Sequence, residues 1–139
     1  AIDLTMTGNT SLKIVRNTDK AFEPAAHESA IDPGCLKKIL IRRADIPEGR
    51  LQMVNWVHLK PERAFEAHYY EEMTEVFFIF AGRTTVQVDG RSDILLEGDA
   101  IVIPPGAIHT MTALEGQAVH YLAMGIVHAE GGRTIVVKD

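Results

Sequence analysis

The sequence predicts an all-β fold of jelly-roll type, in which two antiparallel sheets pack together as a barrel. Two observations support this prediction. From residue 35 onward, short apolar runs alternate with turn signals, as antiparallel sheets require. No segment shows a convincing helical period of about 3.6 residues. Many short strands separated by glycine-marked turns are typical of a sandwich or a barrel.

The strands are predicted from the apolar runs in chain order. They cover residues 35–42, 51–59, 76–80, 84–88, 93–96, 100–103, 109–113 and 118–127, with a candidate last strand at residues 134–137. The pair Asp89-Gly90 can adopt the positive φ values of a two-residue hairpin turn. Further reversals are predicted around Gly98 and Gly106.

The first 34 residues are the least patterned part of the chain. We expect them to form an arm with one strand at residues 11–16, followed by the barrel over residues 35–139. No repeat, low-complexity tract or long linker divides the sequence. Residues 1–139 are therefore expected to form one domain, a size at which folding buries roughly two thirds of the surface of the unfolded chain.

Composition narrows the classes of function. The formal charge of -5 is spread along the chain without a basic run, so nucleic acid is not an expected partner. No apolar run approaches the about 18 residues of a membrane-spanning helix, so no membrane partner is expected. The one cysteine, Cys35, excludes an internal disulfide and any Cys-rich zinc motif. A reducing compartment, the cytoplasm, is the expected location.

The candidate functional residues lie in two stretches of the sequence. Because alternate residues of a strand face the same side, His68 and Tyr70 are expected to project together. Glu75 opens the next predicted strand on the side of Phe77. His109 begins a later strand just after a tight turn. Two imidazoles and a carboxylate from neighbouring strands could therefore converge.

These stretches resemble the two motifs of the cupin superfamily. The first motif, His-x-His, three or four residues, Glu, six residues, Gly, appears as His68-x-Tyr70-x4-Glu75-x6-Gly82. The second motif, Gly-x5-Pro-x-Gly-x2-His-x3-Asn, appears as Gly98-x5-Pro104-x-Gly106-x2-His109 and ends in Ala113 instead of asparagine. The chain is thus similar to a small cupin-2 type protein.

The resemblance implies a double-stranded β-helix barrel that holds a divalent metal on His68, Glu75 and His109, and often a dimer. The second motif histidine is Tyr70 here, and a neutral phenol is a much poorer donor than imidazole. Three outcomes stay open: a two-histidine, one-carboxylate site with open positions, a phenolate ligand from Tyr70, or a site without metal. The first suits iron, manganese, nickel or zinc.

Other candidates have simpler interpretations. His58 is expected either to line the cavity mouth or to be a core histidine with a hydrogen-bond partner, and only one of His120 and Tyr121 can face inward. We expect a small buried role for Cys35. The remaining assignments are an exposed loop for Glu71 and Glu72 and surface or subunit contacts for His27 and His128.

Two functions from different classes follow. The first is a metal-dependent enzyme acting on a small oxygen-rich molecule, such as a sugar derivative or a keto or hydroxy acid. In it the ion polarises a substrate oxygen or activates dioxygen, and Tyr70 is a catalytic donor. The reaction stays open among isomerase, decarboxylase, dioxygenase, lyase and cyclase. The second is a non-catalytic module that binds or senses a small ligand; a structural subunit is a weaker third hypothesis.

A homodimer is predicted from one strand face. Val76, Phe78 and Phe80 lie opposite Glu75 and Phe77 in the alternation of their strand. Such an apolar face needs a cover, either from the N-terminal arm or from a second copy of the chain.

Overall fold

The computed structural model describes residues 12–114, 116–128 and 134–137. The prediction of an all-β fold is confirmed: the described residues form strands, turns and two short 3₁₀ helices, Asn17–Asp19 and Arg43–Asp45. The strands are β1 (Glu23–Pro24), β2 (Cys35–Arg42), β3 (Leu51–Leu59), β4 (His68–Tyr70), β5 (Met73–Ala81), β6 (Thr84–Val88), β7 (Arg91–Leu95), β8 (Ala100–Ile103), β9 (His109–Ala113), β10 (Val119–Val127) and β11 (Thr134–Val136).

The strands form two antiparallel sheets. One has six strands in the order β1-β2-β3-β10-β5-β8, and the other has five in the order β11-β4-β9-β6-β7. The chain passes repeatedly from one sheet to the other, as in a jelly roll. Residues from distant parts of the sequence therefore become neighbours inside the fold.

The core lies between the two sheets and follows the two-residue period of the strands. In β5, Glu75, Phe77 and Ile79 are buried, whereas Phe78 and Phe80 are exposed. The strand is longer than the predicted 76–80 because its two ends pair with β10, from Val127↔Met73 to His120↔Ala81. Alternation thus directs Glu75 inward, as predicted.

The Asp89-Gly90 turn agrees with its prediction. Asp89 has φ 48° and Gly90 has φ 83°, and the turn joins β6 to β7 with Val88 opposite Arg91. Positive φ at both central residues gives a turn whose twist matches that of the flanking strands.

The prediction for the N-terminal arm is wrong in one respect. No strand forms over residues 12–16, and residue 11 lies outside the described part of the chain. The arm instead contributes β1, which pairs with β2 through Glu23↔Lys37 and Pro24↔Leu36. Phe22 then packs on Trp56 and His58, with ring centroids 6.3 and 5.5 Å apart. The pairing of β1 and the ring contacts of Phe22, rather than an apolar period in the sequence of the arm, hold this part of the arm on the sheet.

In the part of the chain that the structure describes, no helix has the length and apolar character needed to cross a membrane.

Candidate metal centre

Two histidines lie opposite each other on adjacent strands of the five-stranded sheet. β4 pairs with β9 through His68↔His109, and the ring centroids are 4.4 Å apart. Both residues are buried, with 1% of their surface exposed. The strand register therefore brings together two imidazoles that are 41 positions apart in the sequence.

The carboxylate comes from the facing sheet. Glu75 lies on β5 and is 3% exposed, and its Oε1 is 3.0 Å from Nε2 of His109. One ligand atom from each of His68, Glu75 and His109 lies within 4.8 Å of the others. The three residues that the motifs single out thus form one buried group that could hold a metal ion.

Backbone carbonyls orient both imidazoles. Nδ1 of His68 lies 2.6 Å from the Glu66 oxygen, and Nδ1 of His109 lies 2.9 Å from the Ala107 oxygen. A carbonyl only accepts hydrogen bonds, so each Nδ1 carries the proton and donates it. Nε2 of each ring is then left for a ligand, which is how metal-binding histidines are commonly held.

The contact between His109 and Glu75 indicates what the site can bind. Since Nδ1 of His109 donates to the Ala107 oxygen, a neutral ring presents a lone pair at Nε2 toward the Glu75 carboxylate. Two acceptors 3.0 Å apart repel each other unless a proton or a cation lies between them. The donor set therefore fits a divalent cation.

His68 is held in the neutral form that metal binding requires. Burial, together with the neighbouring His27 and His109 rings, lowers the pKa of His68 to about 3. A buried imidazolium would lose its hydration without gaining a carboxylate partner. Near neutral pH, the ring therefore needs no deprotonation before it binds an ion.

Tyr70 lies beside the group as an uncharged phenol. Its ring packs edge-on to His68 at 5.5 Å, and its side chain borders the same interior space as Glu75. Burial, followed by the charge of Glu75, raises the pKa of Tyr70 well above its ordinary value, and a hydrogen bond with Thr134 acts in the opposite direction. Without a bound ion, the hydroxyl is therefore protonated at neutral pH and can donate a hydrogen bond.

His27, for which the sequence predicts surface or subunit contacts, lies instead beside His68 in this site. Its ring stacks on His68 with centroids 4.4 Å apart, and its side chain is only 9% exposed. Nδ1 of His27 lies 3.1 Å from Glu28, whose carboxylate also accepts hydrogen bonds from the backbone N–H groups of Gly34 and Glu66. Glu28 thus fixes the arm against the loop that precedes β4, and the acidic residue next to a histidine is the only sequence signal for this role.

Two adjoining cavities lead from solvent to the group. The outer cavity, about 330 Å³, and the inner one, about 40 Å³, share a common wall of Ala26, Lys37, Met53, Asn55 and Tyr70. Glu75, Phe77 and Tyr121 line the inner cavity. A small molecule could therefore enter between the sheets and reach the carboxylate.

The remaining histidines have other places. His120 faces outward and Tyr121 inward, where Tyr121 is 2% exposed. The expectation that His58 lines the cavity mouth or sits in the core is wrong, because its ring lies on the outer face of the six-stranded sheet. There it packs against Phe22 and against His120 at 4.6 Å. His128 is exposed, as expected, and bonds to Thr74.

The other side-chain predictions agree with the structure. Cys35 is buried, and burial raises the pKa of its thiol to about 12. Glu71 and Glu72 are exposed in the turn between β4 and β5.

Comparison with known proteins supports the fold. The family profile described as "Cupin domain" matches residues 55–125. No curated protein matches the chain. Among solved structures, the polyketide cyclase RemF from Streptomyces resistomycificus superimposes with a TM-score of 0.73 at 22% identity, covering 92% of this chain and 87% of that one.

Two further structures are similar. A predicted oxalate decarboxylase from Thermotoga maritima gives a TM-score of 0.71 at 16% identity, covering 83% of this chain and 99% of that one. A sugar phosphate isomerase of the cupin superfamily from Silicibacter pomeroyi gives 0.65 at 17% identity, covering 82% and 75%. At these identities the likeness concerns the fold alone.

Proposed function

Since the chain belongs to the cupin-2 family, we propose that it is a metal-dependent enzyme acting on a small oxygen-rich molecule, a sugar derivative or a keto or hydroxy acid. The observation that carries this proposal is the buried His68, Glu75 and His109 group. A carboxylate and an imidazole lone pair at hydrogen-bond distance, away from water, are stabilised by a shared cation.

The donor set suits iron, manganese, nickel or zinc, which accept imidazole nitrogen and carboxylate oxygen. When bound, the ion would act as a Lewis acid toward a substrate oxygen. The chain itself supplies the surroundings. Phe77 and Tyr121 wall the inner cavity and limit the entry of water, and the Tyr70 hydroxyl donates a hydrogen bond or a proton to the bound molecule.

The reaction stays open among several classes. The similar structures are named as a predicted decarboxylase, a cyclase and an isomerase, and one fold can support all of these reactions. The proposal therefore concerns the metal, the residues that hold it and a small substrate, and not a particular bond that is broken.

Metal titration tests the proposal most directly. Protein purified without an affinity tag should bind one divalent transition ion per chain, measured by calorimetry and elemental analysis. His109→Ala should weaken binding by at least about tenfold, because it removes one of three ligands. His128→Ala, which removes an exposed histidine, is the matched control and should bind as the parent does.

If neither the parent nor Tyr70→His binds any divalent ion, the enzyme proposal is wrong. A non-catalytic module that binds a small ligand would then account better for the cavity.

We further propose that the protein is a homodimer in the cytoplasm. Phe78, Phe80 and Val102 remain 39, 37 and 65% exposed on the outer face of the six-stranded sheet. An apolar patch of this kind favours contact with another protein surface. The single buried cysteine suits a reducing compartment.

A further inference from the structure

The outer cavity has a one-sided charge. Lys37, Arg42 and Arg43 all line it, and none of its described lining residues is acidic. The chain as a whole carries a formal charge of -5, so three cations around one opening differ from the general surface. A cavity lined by one sign of charge attracts ligands of the opposite sign.

A local irregularity of β2 brings Arg42 into the cavity. Simple alternation from Cys35 would direct Lys37, Ile39 and Ile41 inward and Arg42 outward. The pairing with β3 shifts, however, from Ile39↔Asn55 to Ile41↔Val54, so one extra residue is accommodated in β2. Such a bulge moves the following side chains to the opposite face, and Arg42 therefore lines the cavity together with Lys37.

Carboxylates lie near two of these cations, with Glu23 opposite Lys37 on β1 and Asp45 beside Arg42, but none of them forms an ion pair with the cavity cations. Among the described residues, Lys37, Arg42 and Arg43 form no ion pair. Asp45 accepts a hydrogen bond from the Arg42 backbone N–H, but its carboxylate pairs with Lys13 at 2.6 Å. Arg43 bonds to the neutral Gln52 at 3.2 Å.

An independent observation marks the same cavity as a ligand site. The side-chain oxygen of Asn55 is buried and has no hydrogen-bond partner among the described residues 12–114, 116–128 and 134–137, although Asn55 lines both the outer and the inner cavity. A buried acceptor without a partner costs about 1–3 kcal/mol. An O–H or N–H group of a bound molecule would supply the missing hydrogen bond.

We propose that the cavity binds a hydroxylated anion: its carboxylate or phosphate group contacts Lys37 and Arg42 at the mouth, and its hydroxyl donates to Asn55. The molecule then extends past Tyr70 toward Glu75. This inference deepens the proposed function, on which it rests for the role of the metal centre. It selects acids or phosphate esters over neutral sugars.

Nuclear magnetic resonance titration of the full chain can detect weak ligands. The probes are acetate, inorganic phosphate and glycolate, with acetamide as the uncharged equivalent of acetate. Acetate or phosphate should cause saturable shifts of the Lys37, Arg42 and Asn55 amide signals, and acetamide should bind at least about fivefold more weakly than the bound anion. Binding of acetate alone would indicate a carboxylate ligand, and stronger binding of phosphate would indicate a phosphate ester.

Variants separate the cavity from general charge. Lys37→Met should weaken anion binding about tenfold, as expected for loss of a hydrogen bond to a charged group. Lys38→Met removes the same charge from the next residue of β2, whose amine contacts Asn17 and the Phe22 ring on the outer face. Lys38→Met should leave anion binding unchanged. Glycolate should bind more tightly than acetate in the parent but not in Asn55→Leu.

The inference is overturned if neither anion causes saturable shifts at these residues, or if Lys37→Met and Lys38→Met have equal effects. The role of Asn55 is overturned if glycolate and acetate bind equally in the parent. Metal affinity is measured on the same samples. Metal binding without anion preference would reject this inference alone, whereas anion preference in protein that binds no metal would reject only the proposed metal enzyme.

Discussion

Tyr70 is the residue at which the chain departs from the metal-binding motif of its family. Its position on the same strand as His68, and its contact with that ring, place it where a further ligand would stand. Replacing it by histidine would add an imidazole, which first-row divalent ions accept more readily than a neutral phenol. We expect Tyr70→His to raise metal affinity about tenfold or more, measured by competitive calorimetry.

Tyr70→Phe is the companion variant, since it removes the hydroxyl and keeps the ring. Because burial keeps the hydroxyl of Tyr70 protonated when no ion is bound, we expect it not to be a ligand, and metal affinity should stay within about threefold of the parent. Once a substrate is known, turnover should fall by about 10²- to 10⁴-fold, the usual contribution of a positioned proton donor. Loss of metal binding in Tyr70→Phe would instead indicate a phenolate ligand.

The hydrogen bond between Trp56 and His120 depends on the protonation state of the histidine. Nε1–H of Trp56 donates to Nδ1 of His120 at 3.0 Å, which requires that Nδ1 is unprotonated. Burial, followed by the neighbouring His58, lowers the pKa of His120, and burial with nearby Lys60 lowers that of His58. Lys38, 5.2 Å from the Trp56 ring, adds a further positive charge to this outer cluster.

The direction in which pH changes the stability of the fold follows from these lowered pKa values. Between the folded pKa of His120 and its ordinary value of 6.5, the unfolded chain binds more protons than the folded one. The contribution of His120 to the free energy of unfolding is therefore complete above that ordinary value and is lost as the pH falls toward the folded pKa. Urea denaturation followed by Trp56 fluorescence should show decreasing stability from about pH 7.5 to about pH 5.5.

His120→Gln keeps an acceptor for Trp56 but does not titrate, so its stability should depend less steeply on pH. His128→Gln makes the same change at an exposed position and should follow the parent curve. Equal slopes for the parent and His120→Gln would show that this histidine does not contribute.

Residues whose position depends on a strand period and a motif could be predicted from the sequence. His68, Glu75 and His109 could be grouped because alternation gives their faces and the motif gives their order. His27 could not, because its place depends on how Glu28 anchors the arm to Gly34 and Glu66. Such contacts join loops of different elements and leave no period in the sequence.

Gly82, in the turn after β5, and Gly90, in the turn between β6 and β7, can be compared directly. Gly82 and Gly90 have nearly equal φ values of 84° and 83°. A Cβ atom on Gly82 would overlap the backbone oxygen of Ala118, whereas a Cβ on Gly90 would meet nothing within 4 Å. Both substitutions have the conformational cost of a left-handed residue, about 1–2 kcal/mol, but only one adds a backbone clash.

We therefore expect Gly82→Ala to reduce the free energy of unfolding by about 3 kcal/mol or more, and Gly90→Ala by about 1–2 kcal/mol. Denaturant unfolding followed by Trp56 fluorescence measures both variants. Similar losses for the two would mean that the segment carrying Ala118, just before β10, can move away at little cost.

For β2 and β3, the strand boundaries could be predicted from the sequence, whereas an irregularity inside β2 could not. Residues 35–42 and 51–59 agree with β2 and β3, because apolar runs bounded by turn residues define them. The bulge of β2 between Ile39 and Ile41 could not be predicted from the sequence. It depends on pairing with β3, and the apolar run Ile39-Leu40-Ile41 gives no sign of which face each side chain takes.

For the whole molecule, the family resemblance supplied more than pattern alone. The two-residue strand period and the turn signals favour two antiparallel sheets. The matched motifs add that the strands carrying His68 and His109, β4 and β9, lie close together. The assignment of residues 1–139 to a single domain stays a prediction. How copies of the chain assemble depends on an exposed face whose partner no sequence pattern identifies.

The exposed apolar face of the six-stranded sheet can be tested as a dimer interface. Phe78, Phe80 and Val102 form an exposed apolar surface on neighbouring strands β5 and β8, and Val76↔Val102 and Phe78↔Ala100 are paired positions of these strands. If two copies pack through this surface, light scattering should give twice the 15.3 kDa of one chain at micromolar concentration. Phe78→Glu should produce monomers, because a buried unpaired carboxylate at each subunit contact opposes association.

Ile94→Glu introduces the same charge at a residue that is 53% exposed on β7, in the other sheet, and should leave the dimer intact. Metal binding by the Phe78→Glu monomer would show that the barrel remains folded; a parent protein with the mass of one chain would contradict the dimer.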